Sequence, residues 1–129
     1  MIYHQNFVPS NSLEKPYFIS CVNVIAADST EEANFLATSF YNLFAGIVTN
    51  TRRPLSEPTQ EVIYKGIPAI EQAVQSMASC AFIGDGTKIL PEIEKFVNDH
   101  KVDEIMATSY IFDDEKCLHS LSLLKEILT

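Results

Sequence analysis

The segment Tyr17–Asp28 constrains the fold of this chain more than any other stretch. Its sequence, YFISCVNVIAAD, is rich in aromatic, β-branched and small residues, so neither face of the strand would be polar. Such a strand is typical of a parallel sheet covered by helices on both sides. Ser29 and Glu32 follow with the spacing of a capping box, which indicates the start of a helix. A buried strand leading into a capped helix predicts a parallel α/β fold.

The rest of the chain continues this alternation. Apolar residues at helical spacing predict a long helix over 30–48 and a second helix beginning at Pro68. Residues 50–67 lie between them and contain several proline and glycine residues, which predicts a lid-like loop within a single domain spanning 1–129. The expected core face of the first helix consists of Ala33, Leu36, Ala37, Phe40, Leu43, Phe44 and Ile47.

The C-terminal half predicts two more βα units. Residues 81–84 form a short strand-like run, and Asp85 can cap a helix reaching about residue 100, whose start Pro91 would kink or delay. A second long strand is predicted over 102–111, followed by a last helix starting at Asp113. Four leucines of that helix are expected to face inward, namely Leu118, Leu121, Leu124 and Leu128.

Composition narrows the possible functions. The formal net charge of −8 argues against a surface for nucleic acid or anionic membranes. No apolar run approaches the ~20 residues of a membrane span, and the first residues do not resemble a signal peptide. Cys21, Cys80 and Cys117 are widely spaced in apolar surroundings, which predicts buried, reduced thiols and a cytoplasmic protein.

The 129 residues are enough for one domain, but a complete (β/α)8 barrel usually needs ~250 residues. Residues 1–16 resemble the last turns of a helix whose beginning is missing, followed by a linker. The sequence therefore raises the expectation that the chain is one piece of a larger parallel architecture.

Few motifs indicate chemistry. Gly84–Thr87 lies between a strand and a helix, where free N–H groups can bind an anion, although plain capping of the helix is the favoured interpretation. Arg52 and Arg53 could bind a carboxylate or phosphate. Glu115 and His119 lie one helical turn apart, but two ligands fall short of a zinc site. Spacing alone predicts neither a catalytic constellation nor a metal site.

A set of short segments, in order along nearly the whole chain, carries a family resemblance. They are Lys15–Tyr17, Val22–Asp28, Glu31–Ala33, Leu36–Ser39, Gly46 with Arg53–Leu55, Phe82–Gly84, Val102–Met106, Thr108–Asp113, Leu118–Ser120 and Leu123–Leu124. Together they resemble the C-terminal part of the bacterial luciferase-like, flavin-dependent monooxygenases.

The resemblance implies a partial TIM (β/α)8 barrel, made of C-terminal βα units with two long parallel strands, one short strand and about four helices. It implies FMN as the cofactor and oxidation of an aldehyde or another small organic substrate by reduced flavin and O2. Asn23, Thr108 and Ser109 lie on the matching strands and would line the flavin-side cavity.

Two departures from the family pattern limit these implications. Gly86 stands where relatives commonly have proline, which suggests a looser helix start. The N-terminal strands that carry most flavin-phosphate contacts and the reactive residues have no counterpart here, so no catalytic residue is carried over. We therefore expect a chain that is inactive alone and that pairs with a second copy or with the missing N-terminal half.

Two other functions remain open at this stage. The same residues could form a non-enzymatic, oligomerising α/β module, because open sheet edges and uncovered apolar faces favour association. They could also form a small anion-binding domain that uses Gly84–Thr87 and the two adjacent arginines.

Overall fold

The computed structural model describes residues 2–129 as alternating helices and parallel strands. The elements in chain order are α1 Ile2–Asn6, β1 Ile19–Ala26, α2 Thr30–Val48, α3 Pro68–Met77, β2 Ala81–Gly84, α4 Gly86–His100, β3 Glu104–Thr108 and α5 Asp114–Leu128. The predicted α/β class and the predicted order of elements are confirmed. None of these helices combines the length and apolar character needed to cross a bilayer.

The sheet has three parallel strands in the order β2-β1-β3, so the first strand of the chain is the central one. Strand β3 pairs with β1 from Ile19 to Asn23, with Asn23 opposite Thr108. Strand β2 pairs only with the last four residues of β1, from Asn23 to Ala26. Two strands thus run side by side for most of β1, and a short third strand is added at one corner.

Side-chain oxygens cap the three long helices where the sequence predicts. Ser29 accepts the backbone N–H of Glu32 at 3.2 Å, Asp85 accepts that of Lys88 at 2.9 Å, and Asp113 accepts that of Lys116 at 3.0 Å. These caps satisfy N–H groups that have no partner within the helix.

The observed start of α4 corrects the prediction made for Pro91. The helix begins at Gly86, five residues before Pro91, so the proline does not delay its start. At this helix start, a Cβ added at Gly86 would lie 2.9 Å from Cγ2 of Ile127 on α5. The looser start expected from Gly86 stays a prediction. Glycine at this position lets the two helices pack against each other.

The two long strands are shorter than predicted. Strand β3 ends at Thr108 rather than at residue 111, because Ile111 leaves the sheet and packs into the core beside α2. Strand β1 is buried on both faces only over its last residues. Its first half alternates between exposed Ile19 and Cys21 and buried Ser20 and Val22. The prediction of a strand covered on both sides is therefore wrong for this half.

One face of the sheet, the outer face, packs against α4 and α5, and the opposite face is covered only in part. The outer face includes Val22, Val24 and Ala26 and packs against α4 and α5 through Ile89, Ile93 and Leu124. On the opposite side, α2 covers Ile25 and Ile83 with Leu36, Ala37 and Phe40.

Helix α2 does not reach the first half of β1 or the middle of β3, where Ile19 is 49% exposed and Met106 is 59% exposed. We call this uncovered region the bare face; its side chains are Ile19, Cys21, Asn23, Glu104, Met106 and Thr108.

The inward face of α5 differs from the prediction. Of the four leucines expected in the core, only Leu124 is buried. Leu118, Leu121 and Leu128 are exposed, and the inward positions are instead Cys117, Ser120, Leu123, Leu124 and Ile127. A buried serine displaces the predicted stripe, because the Ser120 hydroxyl accepts the backbone N–H of Ala26 at 2.9 Å. On α2 the stripe is largely confirmed, although Ile47 is exposed.

The three cysteines are free, as predicted, but they are not fully buried. Cys21 is exposed on the bare face, and Cys80 and Cys117 are half-buried. The prediction of buried thiols fails at Cys21 because its side chain lies on the part of β1 that α2 does not cover.

Residues 50–67 have no regular secondary structure other than turns, and they are attached to α2. Thr38 Oγ1 accepts the backbone N–H of Thr59 at 2.8 Å, and Asn42 Oδ1 accepts that of Ile63 at 2.9 Å. Tyr64 packs with Ala45 and Val74 in a small separate core. The role of this segment as a lid remains a prediction.

Tyr64 gives the fold a testable dependence on alkaline pH. Its side chain is 7% exposed, and burial, with smaller contributions from Tyr41 and Glu71, raises the pKa of Tyr64 from 10.0 to about 12. The folded state therefore favours the neutral phenol. Its contribution to stability is complete below the ordinary pKa and is lost as the pH rises towards 12. We expect the urea midpoint to fall across this window and to fall less in Tyr64→Phe. An equally steep fall in the variant would contradict this assignment.

Candidate functional site

The residues predicted to line a cofactor cavity lie together where β1 and β3 meet. Asn23 and Thr108 are register partners on the bare face, and Thr108 Oγ1 donates to Asn23 Oδ1 at 2.7 Å. The same hydroxyl lies 3.3 Å from the carbonyl oxygen of Val22. Because Thr108 is the last residue of β3, the pair stands at the carboxyl end of that strand. Active sites of parallel barrels form at this end of their strands.

The contact with Thr108 orients the amide of Asn23. With its oxygen accepting from Thr108, the Asn23 side-chain nitrogen has no acceptor among residues 2–129. Asn23 is half-buried, so its N–H groups can donate to a ligand lying on the bare face. This is the clearest polar recognition element on the uncovered part of the sheet.

Ser109, the third predicted residue, is used differently. Its hydroxyl donates to the carbonyl oxygen of Val24 at 2.6 Å, and its own carbonyl oxygen lies 3.6 Å from the sulfur of Cys117. The side chain therefore fastens the end of β3 to β1. Whether Ser109 also touches a cofactor remains a prediction.

The neighbours of the pair are mainly apolar, and sequence reasoning missed them as a group. Ile19, Cys21 and Met106 are exposed on the same face. At the end of the bare face away from Asn23, the Tyr17 hydroxyl donates a hydrogen bond to the Glu104 carboxylate at 2.9 Å. This hydrogen bond raises the pKa of Tyr17. The sequence contains no local signal for this face, because exposed Ile19 is apolar and buried Ser20 is polar, so polarity does not alternate along the first half of β1.

The other candidate motifs lie elsewhere. At Gly84–Thr87 the helix start is already occupied by the carboxylate of Asp85, whose pKa is lowered by hydrogen bonds from the Thr87 hydroxyl and the Lys88 backbone. The Lys88 ammonium group donates to the carbonyl oxygen of Ile83 at 2.6 Å. Arg53 lines a separate cleft beside α2. The structure therefore does not bring together the groups that the anion-binding hypothesis requires.

No metal centre is indicated in the part of the chain that is described. His119 lies 2.8 Å from Asp28 and Lys116 lies 2.7 Å from Glu32, so both side chains tie α5 to the β1–α2 turn and the first turn of α2. Across residues 2–129, no three potential metal ligands converge. Glu115, His119 and Asp28 line the same shallow depression, but their side chains do not converge on a common point that could hold a metal ion.

The curated proteins that this chain resembles are longer, and each is matched over only part of its length. No family model matches the chain. The chain is 35% identical over 126 residues to the luciferase-like monooxygenase of Escherichia coli strain K12, and 32% identical over 127 residues to the uncharacterized protein YddN of Bacillus subtilis strain 168. Each alignment covers 98% of this chain but only 38% of the relative. The chain thus spans well under half the length of the curated relatives it matches.

A solved structure shares the fold. The crystal structure of apo-MsnO8 superposes with a TM-score of 0.75 at 20% sequence identity, covering 97% of this chain and 38% of that chain. The partial-barrel fold class is confirmed, and so is the resemblance described from the sequence.

Proposed function

We propose that this chain, which is related over nearly its whole length to part of the luciferase-like monooxygenases, forms one side of a barrel that binds FMN and oxidises a small organic substrate. The substrate class that we propose is an aldehyde or a similarly small molecule, with reduced flavin and O2 as co-substrates. The bare face, which includes the Asn23–Thr108 pair, is the observation that carries this proposal.

The two faces of the sheet support an interior role for the bare face. In a closed parallel barrel, each strand turns one face towards the surrounding helices and the other towards the interior. Here the outer face already packs against α4 and α5. The bare face would then point into the barrel, which accounts for apolar Ile19 and Met106 being left open to solvent. Strands supplied from elsewhere, in the same polypeptide or in another, would enclose it.

The residues on this face fit part of a flavin site. Asn23 offers N–H donors to an acceptor atom of a flavin ring or of the substrate, and Ile19 and Met106 offer apolar contacts. Bound reduced flavin would supply the chemistry that activates O2. None of the β1 and β3 side chains on the bare face is basic, so the FMN phosphate would have to be held by another part of the barrel. We therefore propose that the chain is not catalytically competent alone.

The same observation supports a second candidate function, a non-enzymatic oligomerising module. Strand β3 pairs only with β1 among the described residues, and Ile19–Val22 has no strand partner on the β2 side. Free strand edges and exposed apolar side chains favour association. A second copy of the chain could cover them in place of the other barrel strands.

A chimera distinguishes these functions. In it, this chain replaces the matching segment of the E. coli relative, and FMN binding is followed by fluorescence quenching while turnover is followed by O2 consumption with reduced FMN. We expect both activities in the chimera and neither in the isolated chain. Thr108→Val, which releases Asn23, should weaken FMN binding by about fivefold, since a lost hydrogen bond is worth roughly 1 kcal/mol.

Thr129→Val serves as the matched control, because Thr129 is exposed at the far end of α5 and should leave FMN affinity unchanged. A folded chimera that neither binds FMN nor consumes O2 would favour the oligomerising module. Tight FMN binding with turnover by the isolated chain would contradict the need for the rest of the barrel.

A further inference from the structure

A cleft between α2 and the segment 51–63 is independent of the bare face. Its volume is about 610 Å³, which is within the usual range for small-molecule sites. Helix α2 forms one wall through Asn42, Leu43 and Gly46, and the segment forms the other wall. The cleft lies on a part of the chain to which the proposed barrel function assigns no role.

The outer wall is held at both ends and is therefore preformed. At one end, the backbone N–H of Thr51 donates to the carbonyl oxygen of Gly46 at 2.8 Å. Gly46 permits this approach, because a Cβ there would lie only 3.2 Å from the Thr51 oxygen. At the other end, Thr59 and Ile63 are hydrogen-bonded to α2 side chains. A wall fixed in this way reduces the ordering that a ligand would otherwise have to impose.

The lining combines an apolar surface with one cation. Leu43, Pro54, Leu55 and Ile63 provide the apolar part. Arg53 lines the same cleft, and within residues 2–129 no carboxylate lies within ion-pairing distance of its guanidinium group. An arginine fork matches a carboxylate through two parallel hydrogen bonds.

The charges around the cleft argue against a dianionic ligand. Glu57 also lines the cleft, so the local charges of Arg53 and Glu57 sum to zero, and the whole chain carries −8. A dianion such as a phosphate monoester would be repelled more strongly than a monocarboxylate. We propose that this cleft binds a small amphipathic monocarboxylate, with its carboxylate at Arg53 and its aliphatic body against Leu43 and Ile63.

Octanoate titrated into the ¹⁵N-labelled full chain tests this proposal. We expect saturable shifts of the amides of Asn42, Thr59 and Ile63. Arg53→Gln should weaken binding at least fivefold, and Arg53→Lys should weaken it less because the charge is kept. Arg52→Gln is the matched control, since its neighbouring side chain does not line the cleft, and it should stay within twofold of the wild type.

Two further probes separate charge from apolar contact. 1-Octanol carries the same body without the charge, and octyl phosphate carries the additional charge; both should bind at least fivefold more weakly than octanoate. Equal effects of Arg53→Gln and Arg52→Gln would overturn the proposal. So would shifts confined to the bare face around Met106.

Discussion

Replacing Phe40 with alanine is expected to lower the free energy of unfolding by about 3–5 kcal/mol. Phe40 is fully buried and joins α2 to Ile25 and Ile83 of the sheet. Its ring centroid lies 4.4 Å from that of Phe44 and 6.0 Å from that of Tyr110. The loss would be a large share of the roughly 5–15 kcal/mol that stabilises an ordinary domain, so the variant should unfold at much lower urea concentrations.

Circular dichroism during urea denaturation measures this effect, and Phe35→Ala provides the control. Phe35 lies on the same helix but is 39% exposed, so its loss should cost clearly less than that of Phe40. Equal destabilisation by the two substitutions would show that α2 does not bury Phe40 as described.

Ser120→Ala is expected to cost about 1–3 kcal/mol, although it removes a single oxygen atom. The Ser120 side chain is fully buried, and its hydroxyl accepts the N–H of Ala26, the last residue of β1. Alanine would leave this N–H buried without a partner. Hydrogen exchange should therefore become faster at the Ala26 amide as global stability falls.

Ser122→Ala is the matched control for this prediction. Ser122 lies on the same helix and is exposed, so its substitution should change stability by no more than about 0.5 kcal/mol. If the two alanine variants were equally stable, the hydrogen bond between α5 and β1 would not contribute as described.

Local patterns predicted most of the elements but not their relative arrangement. Ser29, Asp85 and Asp113 act as caps because capping depends on side chains within one helical turn. The central place of β1 could not be predicted, since strand pairing joins residues far apart in the chain. The inward face of α5 was predicted wrongly for a related reason. Ser120 is polar and is buried only because a distant backbone N–H requires its oxygen.

For the candidate site, too, the sequence predicted individual residues but not the contacts between distant parts of the chain. Asn23 and Thr108 were selected through family resemblance, and their direct contact follows from the register of β1 with β3. Cys21 was expected to be buried because its neighbours in the sequence are apolar. Cys21 is exposed because α2 covers only part of the sheet, and the residues around Cys21 in the sequence do not show how much of the sheet α2 covers.

The position of β1 has a consequence for the order of events during synthesis. This central strand is made before both of the strands that flank it, residues 81–84 and 104–108. At about 5–20 residues per second, a ribosome needs roughly 3–11 s to move from the end of β1 to the start of β2. During that interval neither of these two strands is available to pair with β1, which favours binding of the nascent chain by a chaperone.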